Sequence, residues 1–381
     1  MRTARRLLRE GRFDEAREAF ARREGEASAP LGLGYLALLR NDLDEAEQCL
    51  RAAVQRPLRR KTARALLGEV HYRRDDFERA APLFAAAGQA AKARKLASFT
   101  GRRPNEIQPG FADARIPFAK TDPLPVIELS VNGSAPGRFI IDTGGGELIL
   151  DRTFARKVGA ETFGGQRSVF GGGRKATLEH ASVESVQLGE ASLANVPVSL
   201  LDLEGVGPQL GEERLDGILG TVPLYHFLST IDYVNGELVL QPRGSEARGV
   251  AVPFWLAEDH FMVAWGTLNG GRPMLFFVDT GLAGAGFTGP QSTLRHAGVV
   301  LEPEGAVNGV GGGGAFSAVP FDVGELSLGE VSHEHLPGVD GAFPKQIERA
   351  MGFRIGGLIS HQFFRSHALT LDFAAMRLRI A

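Results

Sequence analysis

The spacing of apolar residues changes near residue 113 of the chain. Before that point, small and large apolar residues recur four positions apart among charged residues, which is typical of amphipathic helices. After it, short runs of β-branched and aromatic residues are separated by glycine and proline, which predicts strands joined by turns. The pattern therefore predicts a helical N-terminal region followed by a β-rich region.

Three segments of the N-terminal hundred residues repeat. They are GRFDEAREAF (11–20), NDLDEAEQCL (41–50) and RDDFERAAPLF (74–84), aligned on Ala16, Ala46 and Ala80. Gly34 and Gly68 precede the alanines of the last two repeats by twelve positions, and Ala4 stands at the matching position of the first. The pattern resembles the tetratricopeptide repeat, in which small residues let paired helices approach closely. The resemblance implies either a groove for a protein partner or a scaffold that packs against the rest of the chain.

The β-rich region contains one pattern twice. The segment PVIELSVNGSAPGRFIIDTGGG and the later segment FMVAWGTLNGGRPMLFFVDTGLA each hold two apolar strands around an Asn-Gly turn. Each ends in Asp-Thr-Gly, at 142–144 and at 279–281. Two triplets in matching surroundings indicate an internal duplication. A single Asp-Thr-Gly would not be evidence of one.

The correspondence continues downstream of both triplets. A glycine-rich hairpin is expected at 169–176 and again at 307–316. The strand ending SVQLGE (185–190) matches ELSLGE (325–330), and residues 216–240 match residues 356–380. The duplication therefore covers most of the chain beyond the N-terminal region.

The duplicated region resembles the aspartic proteases, and the retroviral type more than the pepsin type. The resemblance implies a multidomain fold with an all-α, tetratricopeptide-like region and an all-β, bilobal aspartic-protease fold. We expect the helical repeats over residues 1–100, a linker over 101–112, a first lobe over 113–244 and a second lobe over 245–381.

The resemblance also assigns roles to residues of both triplets. It implies that Asp142 and Asp279 are the catalytic pair, and that Thr143, Gly144, Thr280 and Gly281 support the two catalytic loops. Two glycine-rich flaps would close over an extended peptide and exclude water. The implied flap residues are Phe170, Gly171, Gly172 and Gly173 in the first lobe, and Val310, Gly311, Gly312 and Gly313 in the second.

Two carboxyl groups in contact account for hydrolysis without a metal or cofactor. They cannot both ionise cheaply, so the pair shares one proton. The ionised member then serves as general base toward water, and the protonated member hydrogen-bonds the carbonyl of the peptide bond. The sequence therefore predicts an aspartic endopeptidase of peptide or protein substrates, with helical repeats that recruit or orient the substrate.

Two departures from the family pattern support an alternative function. Leu282 directly follows the second triplet, where the family has a smaller residue, and Gly145 follows the first. Ser360 stands at the position that Gly220 occupies in the first lobe. The alternative is a peptide-binding or scaffold protein that retains the cleft but does not cleave.

Charge and composition exclude several other classes of protein. Residues 1–100 carry a net charge of +7 and the remainder −9, so the total of −2 gives no reason to expect nucleic-acid binding. The single cysteine, Cys49, excludes an internal disulfide and a multi-thiolate zinc site. The sequence has no apolar run long enough to span a membrane. We expect a monomer, cytoplasmic as the sequence stands, or periplasmic or secreted if a signal peptide has been removed.

Overall fold

The chain forms a helical N-terminal region and a larger β-rich region. The computed structural model describes residues 2–23, 25–57, 59–170, 175–258, 260–311, 314–344 and 346–381. We refer to residues 106–242 as the first half of the β-rich region and to residues 250–380 as its second half.

In the helical region each helix packs against the next one along the chain. The repeated alanines Ala16, Ala46 and Ala80 lie on the second helix of successive pairs and are fully buried. The helices in the described part of this region are α1 (Arg2–Arg9), α2 (Phe13–Ala21), α3 (Ala29–Leu39), α4 (Leu43–Val54), α5 (Arg60–Arg73), α6 (Phe77–Ala87) and α7 (Ala90–Ala97).

Strands dominate the first half, with two short helices between them. They are β1 (Glu106–Ile107), β2 (Ala114–Pro117), β3 (Val126–Val131), β4 (Gly137–Ile141), β5 (Leu148–Asp151), α8 (Arg152–Lys157), β6 (Glu161–Val169), β7 (Lys175–Leu188), β8 (Ala191–Leu201), β9 (Gly217–Leu219), α9 (Thr221–Leu224), β10 (Phe227–Asp232) and β11 (Glu237–Pro242).

The second half follows the same order of strands. Its elements are β12 (Val250–Ala257), β13 (Phe261–Leu268), β14 (Met274–Val278), β15 (Phe287–Thr288), α10 (Gln291–His296), β16 (Val307–Gly311), β17 (Gly314–Leu328), β18 (Val331–Asp340), α11 (Ile347–Met351), β19 (Gly357–Ile359), α12 (His361–Phe364), β20 (Ala368–Asp372) and β21 (Arg377–Ile380).

The two halves share one pattern of strand pairing. In the first half the strands run β8-β5-β9-β4-β3-β7-β6 across the sheet, and the second half has β18-β15-β19-β14-β13 with β17 paired to both β13 and β18. In both, the strand before the aspartate runs parallel to a short later strand, β4 beside β9 and β14 beside β19. The repeated sequence therefore folds twice into the same arrangement.

Six strands join the halves into one sheet. Their order is β2-β11-β10 from the first half and β20-β21-β12 from the second, with β10 and β20 in antiparallel contact at the centre. At that contact Thr230 is paired with Thr370, and their hydroxyl oxygens lie 2.8 Å apart. The halves are thus held together by main-chain hydrogen bonds far from the aspartates in sequence.

The segment expected as a linker contributes to the sheet of the first half. Glu106 and Ile107 form β1, which pairs with Ala194 and Leu193 of β8. A strand of two residues is too short to show the alternation of apolar and polar residues that predicts a strand. The proline, glycine and asparagine content of the segment indicated only a linker.

The helical region packs against both halves of the β-rich region. Phe13 of α2 contacts Trp255 and Phe353 of the second half, each at a ring-centroid distance of 5.1 Å. Arg94 of α7 donates to the carbonyl oxygen of Phe163 in the first half, at 2.8 Å and 3.1 Å. The helices therefore form an extensive interface with the rest of the chain.

None of the helices in the described part of the chain is both long enough and apolar enough to cross a membrane.

Gly34 and Gly68 provide a matched test of helix packing. A Cβ at Gly34 would lie 2.6 Å from Leu50 Cγ, whereas one at Gly68 would lie 3.3 Å from the Phe84 ring. Alanine is favoured over glycine inside a helix by about 1 kcal/mol, and overpacking costs about 1–3 kcal/mol. We expect Gly34→Ala to lower the free energy of unfolding by about 1–2 kcal/mol, and Gly68→Ala to leave it within about 0.5 kcal/mol. Denaturant titration of both variants measures this, and equal stabilities would contradict the packing difference.

Candidate active site

Asp142 and Asp279 each follow directly on a buried strand. β4 leads into Asp142 and β14 leads into Asp279. The Asp142 amide donates to Leu219 O and the Asp279 amide donates to Ile359 O, both at 3.0 Å. The same local structure therefore positions both aspartates, one from each half.

The threonines of the two triplets bind each other across the junction of the halves. The Thr143 amide donates to Thr280 Oγ1 and the Thr280 amide donates to Thr143 Oγ1, both at 3.1 Å. Each hydroxyl also donates to a carbonyl oxygen of the opposite half, Thr143 to Val278 at 2.9 Å and Thr280 to Ile141 at 3.1 Å. Both threonines are fully buried. This crossed set of bonds fixes the two loops relative to one another.

Glycine is required at the third position of both triplets. A Cβ at Gly144 would lie 2.4 Å from the carboxyl carbon of Asp279, and one at Gly281 would lie 2.1 Å from that of Asp142. The amides of the glycines instead donate to the aspartate of their own loop, Gly144 to Asp142 at 2.7 Å and Gly281 to Asp279 at 2.9 Å. The absence of a side chain thus lets each loop contact the opposite carboxyl group.

The two aspartates are partly buried, and each carboxyl group lies against the glycine of the opposite loop. Burial raises the pKa of Asp142 above its ordinary value of 3.8, and outweighs hydrogen bonds from Asp279 and the loop amides that lower it. Burial, followed by the charge of Asp142, raises the pKa of Asp279 well above the same value. The pair therefore favours a state that holds one proton between two carboxyl groups.

The structure accounts for serine at position 360. A Cβ at Gly220 would lie 2.4 Å from the carbonyl oxygens of Gly146 and Glu147, so the first half requires glycine there. In the second half the Ser360 hydroxyl fits, accepts from the Leu282 amide at 3.1 Å and lies 3.3 Å from the Leu282 carbonyl oxygen. Ser360 thus forms a side-chain hydrogen bond with the loop that carries Asp279.

The predicted flap residues lie partly outside the described residues. β6 and β7 form an antiparallel hairpin with Val169 opposite Lys175, and β16 and β17 form another with Gly311 opposite Gly314. Val310 and Gly311 belong to β16, while Phe170 packs against an apolar cluster of the first half that includes Ile218. Gly171, Gly172, Gly173, Gly312 and Gly313 are outside the described part of the chain.

Sequence reasoning missed an acidic residue that links the loop carrying Asp142 to the helical region. Glu147, five positions after Asp142, accepts hydrogen bonds from Lys95 and Tyr72 of the helical region. The matching position of the second half is Gly284, so comparison of the duplicated segments could have drawn attention to this acidic residue.

Leu282 lies on the loop that carries Asp279 and packs against an apolar cluster. That cluster contains Leu7 and Phe13 from the helices and Phe277 from β14. The helical region therefore binds the loop that carries Asp142 through charged and polar groups, and shares an apolar cluster with the loop that carries Asp279.

Residues 127–222 match the family model described as aspartyl protease. A search of curated proteins finds no match. Among solved structures, the chain is similar to the crystal structure of a retropepsin-like aspartic protease from Rickettsia conorii, with 19% sequence identity and a TM-score of 0.24. That similarity covers 36% of this chain and 91% of the other. The family match, which includes Asp142, Thr143 and Gly144 and ends before the second triplet, relates the first half of the β-rich region to the aspartyl proteases.

Proposed function

We propose that this protein is an aspartic endopeptidase in which Asp142 and Asp279 are the catalytic pair. The observation that carries the proposal is the meeting of two partly buried aspartates, each on a loop of the same structure and each with its carboxyl group against the glycine of the opposite loop. The aspartyl protease match over residues 127–222 supports the same chemistry for the first loop. The two halves act as the lobes of one bilobal protease, and the helices are a tetratricopeptide-like array.

The reaction needs one proton on the pair. The ionised carboxylate takes a proton from water, and the water oxygen attacks the carbonyl carbon of the peptide bond. The protonated carboxyl group donates to the carbonyl oxygen as the tetrahedral intermediate forms. Proton transfer to the leaving nitrogen then allows the C–N bond to break, and the pair returns to its singly protonated state.

The substrate in this proposal is an extended segment of a peptide or protein. The hairpins β6–β7 and β16–β17 would lie along it and provide main-chain donors and acceptors, as an added strand does at a sheet edge. Thr143, Thr280 and the two glycines would keep the aspartates rigid, which matters because misplaced catalytic groups lose rate steeply. We propose that the helical region orients the catalytic loops or recruits the substrate.

Replacement of either aspartate by asparagine tests the assignment. Asp142→Asn and Asp279→Asn preserve the size of the side chain but replace a carboxyl group with an amide. The amide can neither act as the general base nor share the proton of the pair. We expect each to reduce cleavage of a peptide library by about a thousandfold or more, because general acid–base catalysis contributes about 10²–10⁴-fold. Asp202→Asn, an exposed aspartate of the first half, is the control and should retain full activity.

Either active-site variant cleaving at the wild-type rate would contradict the assignment. Wild-type protein that binds peptides stoichiometrically without cleaving them at any pH would favour a peptide-binding or scaffold function instead. Mass spectrometry of the products separates these results, because it identifies cleaved bonds directly.

The pH dependence of kcat/KM should be bell-shaped. The rate falls at low pH as the second carboxyl group is protonated, and at high pH as the last shared proton is lost. Because burial and the charge of Asp142 raise the pKa of Asp279 well above 3.8, the alkaline limb should lie above the range of ordinary aspartates. Initial rates measured across the acidic to neutral range check this, and a rate that keeps rising through neutral pH would contradict a shared proton.

A further inference from the structure

Glu147 is held on three sides by buried polar groups. Lys95 Nζ lies 2.5 Å and 2.6 Å from its two carboxylate oxygens, and the Tyr72 hydroxyl donates to it at 2.8 Å. The Ser199 hydroxyl of β8 donates at 2.7 Å. The Lys95 side chain is 0% exposed and that of Glu147 is 11% exposed, so solvent screens the ion pair little.

The main chain around Glu147 belongs to the first catalytic loop. Gly145 O accepts from the Thr221 amide at 3.0 Å and Gly146 O accepts from the Val222 amide at 2.8 Å. Val222 in turn packs in an apolar cluster with Tyr72. The loop after Asp142 is therefore enclosed between the start of α9 and helices α5 and α7.

The second catalytic loop has no equivalent anchor at the matching position. Gly284 has φ +71°, and a Cβ there would meet nothing within 4 Å. The two halves thus differ at the position where the helical region contacts the first loop. This indicates that the ion pair joins the helices to the β-rich region and is not part of the repeated structure.

The surroundings of Glu147 keep it ionised. Burial alone raises the pKa of Glu147, but Lys95, His180 and Ser199 outweigh it and hold the pKa at about 2. The groups that face the carboxylate are Lys95 on α7, Tyr72 on α5, His180 on β7 and Ser199 on β8. Without the Lys95 charge, burial would dominate and the pKa would rise.

We propose that Lys95 and Tyr72 are positioning residues for the aspartate pair, acting through Glu147 on the loop that carries Asp142. The inference rests on the proposed function and extends it, because it makes the helical region part of the catalytic framework. The helices then do more than recruit substrate, since cleavage of even a short peptide depends on them.

Lys95→Met is the principal test. We expect kcat for a short peptide to fall about tenfold to hundredfold with little change in KM, because a small displacement of a catalytic group costs rate more than binding. The deficit should grow as the pH rises: at low pH a protonated Glu147 still bonds Tyr72 and Ser199, whereas at higher pH its buried charge lacks the Lys95 counter-charge. Tyr72→Phe is the milder variant and should reduce kcat in the same direction by a few-fold.

Two further variants separate positioning from loss of stability. Arg73→Met removes another buried cation that joins the helices to the β-rich region, through the carbonyl oxygens of Leu256 and Glu258. We expect it to lower thermal stability without the pH-dependent loss of kcat. Lys95→Met combined with Glu147→Gln removes both charges and should abolish the pH dependence of the deficit. If the loss of kcat depended on pH equally in the Lys95→Met and Arg73→Met variants, the proposal would be overturned.

Hydrogen–deuterium exchange of peptides spanning residues 143–150 tests the positioning without any assay of cleavage. Faster exchange there in Lys95→Met than in Arg73→Met supports the anchor even if the wild-type protein cleaves no peptide, a result that would reject the proposed function alone. Unchanged exchange together with unchanged kcat in Lys95→Met overturns the positioning role and leaves the proposed function intact.

Discussion

The structure depends on holding two partly buried carboxyl groups close together where the two halves meet. Like charges at this distance repel strongly where water is scarce, so the pair is compatible with the fold only when it shares a proton or is held by opposing forces. The crossed bonds of Thr143 and Thr280 provide that restraint. The paired strands β10 and β20 provide a second restraint at the joining sheet. The proposed chemistry and the electrostatic cost to the fold thus arise from the same two carboxyl groups.

The helical region adds restraint unequally to the two loops. It binds the first through the Lys95–Glu147 ion pair, and it shares an apolar cluster with Leu282 of the second. A duplicated pair of loops has become asymmetric because only one side carries an acidic residue at the matching position. The two loops therefore differ in their surroundings, although each aspartate accepts from the amide of the glycine in its own loop.

The sequence predicts the repeated features better than the unique ones. The strands before both Asp-Thr-Gly triplets and the helices around Ala16, Ala46 and Ala80 follow from local patterns that the structure contains. Glu147 does not, because its partners Lys95 and Ser199 are each 52 positions away and their approach depends on tertiary packing. Glycine at 220 is required by the neighbouring main chain, whereas the Ser360 hydroxyl bonds the main chain of Leu282, and both relations depend on a loop that is distant in sequence.

The protonation of the pair is the most direct test of the account. Carbon-13 NMR of aspartate-labelled protein, with Asp142→Asn and Asp279→Asn used for assignment, follows each carboxyl group through a pH titration. We expect one carboxyl group to stay protonated well above the ordinary aspartate pKa of 3.8, and the other to titrate together with it. Two carboxyl groups that ionise independently near that ordinary value would contradict a shared proton and the chemistry derived from it.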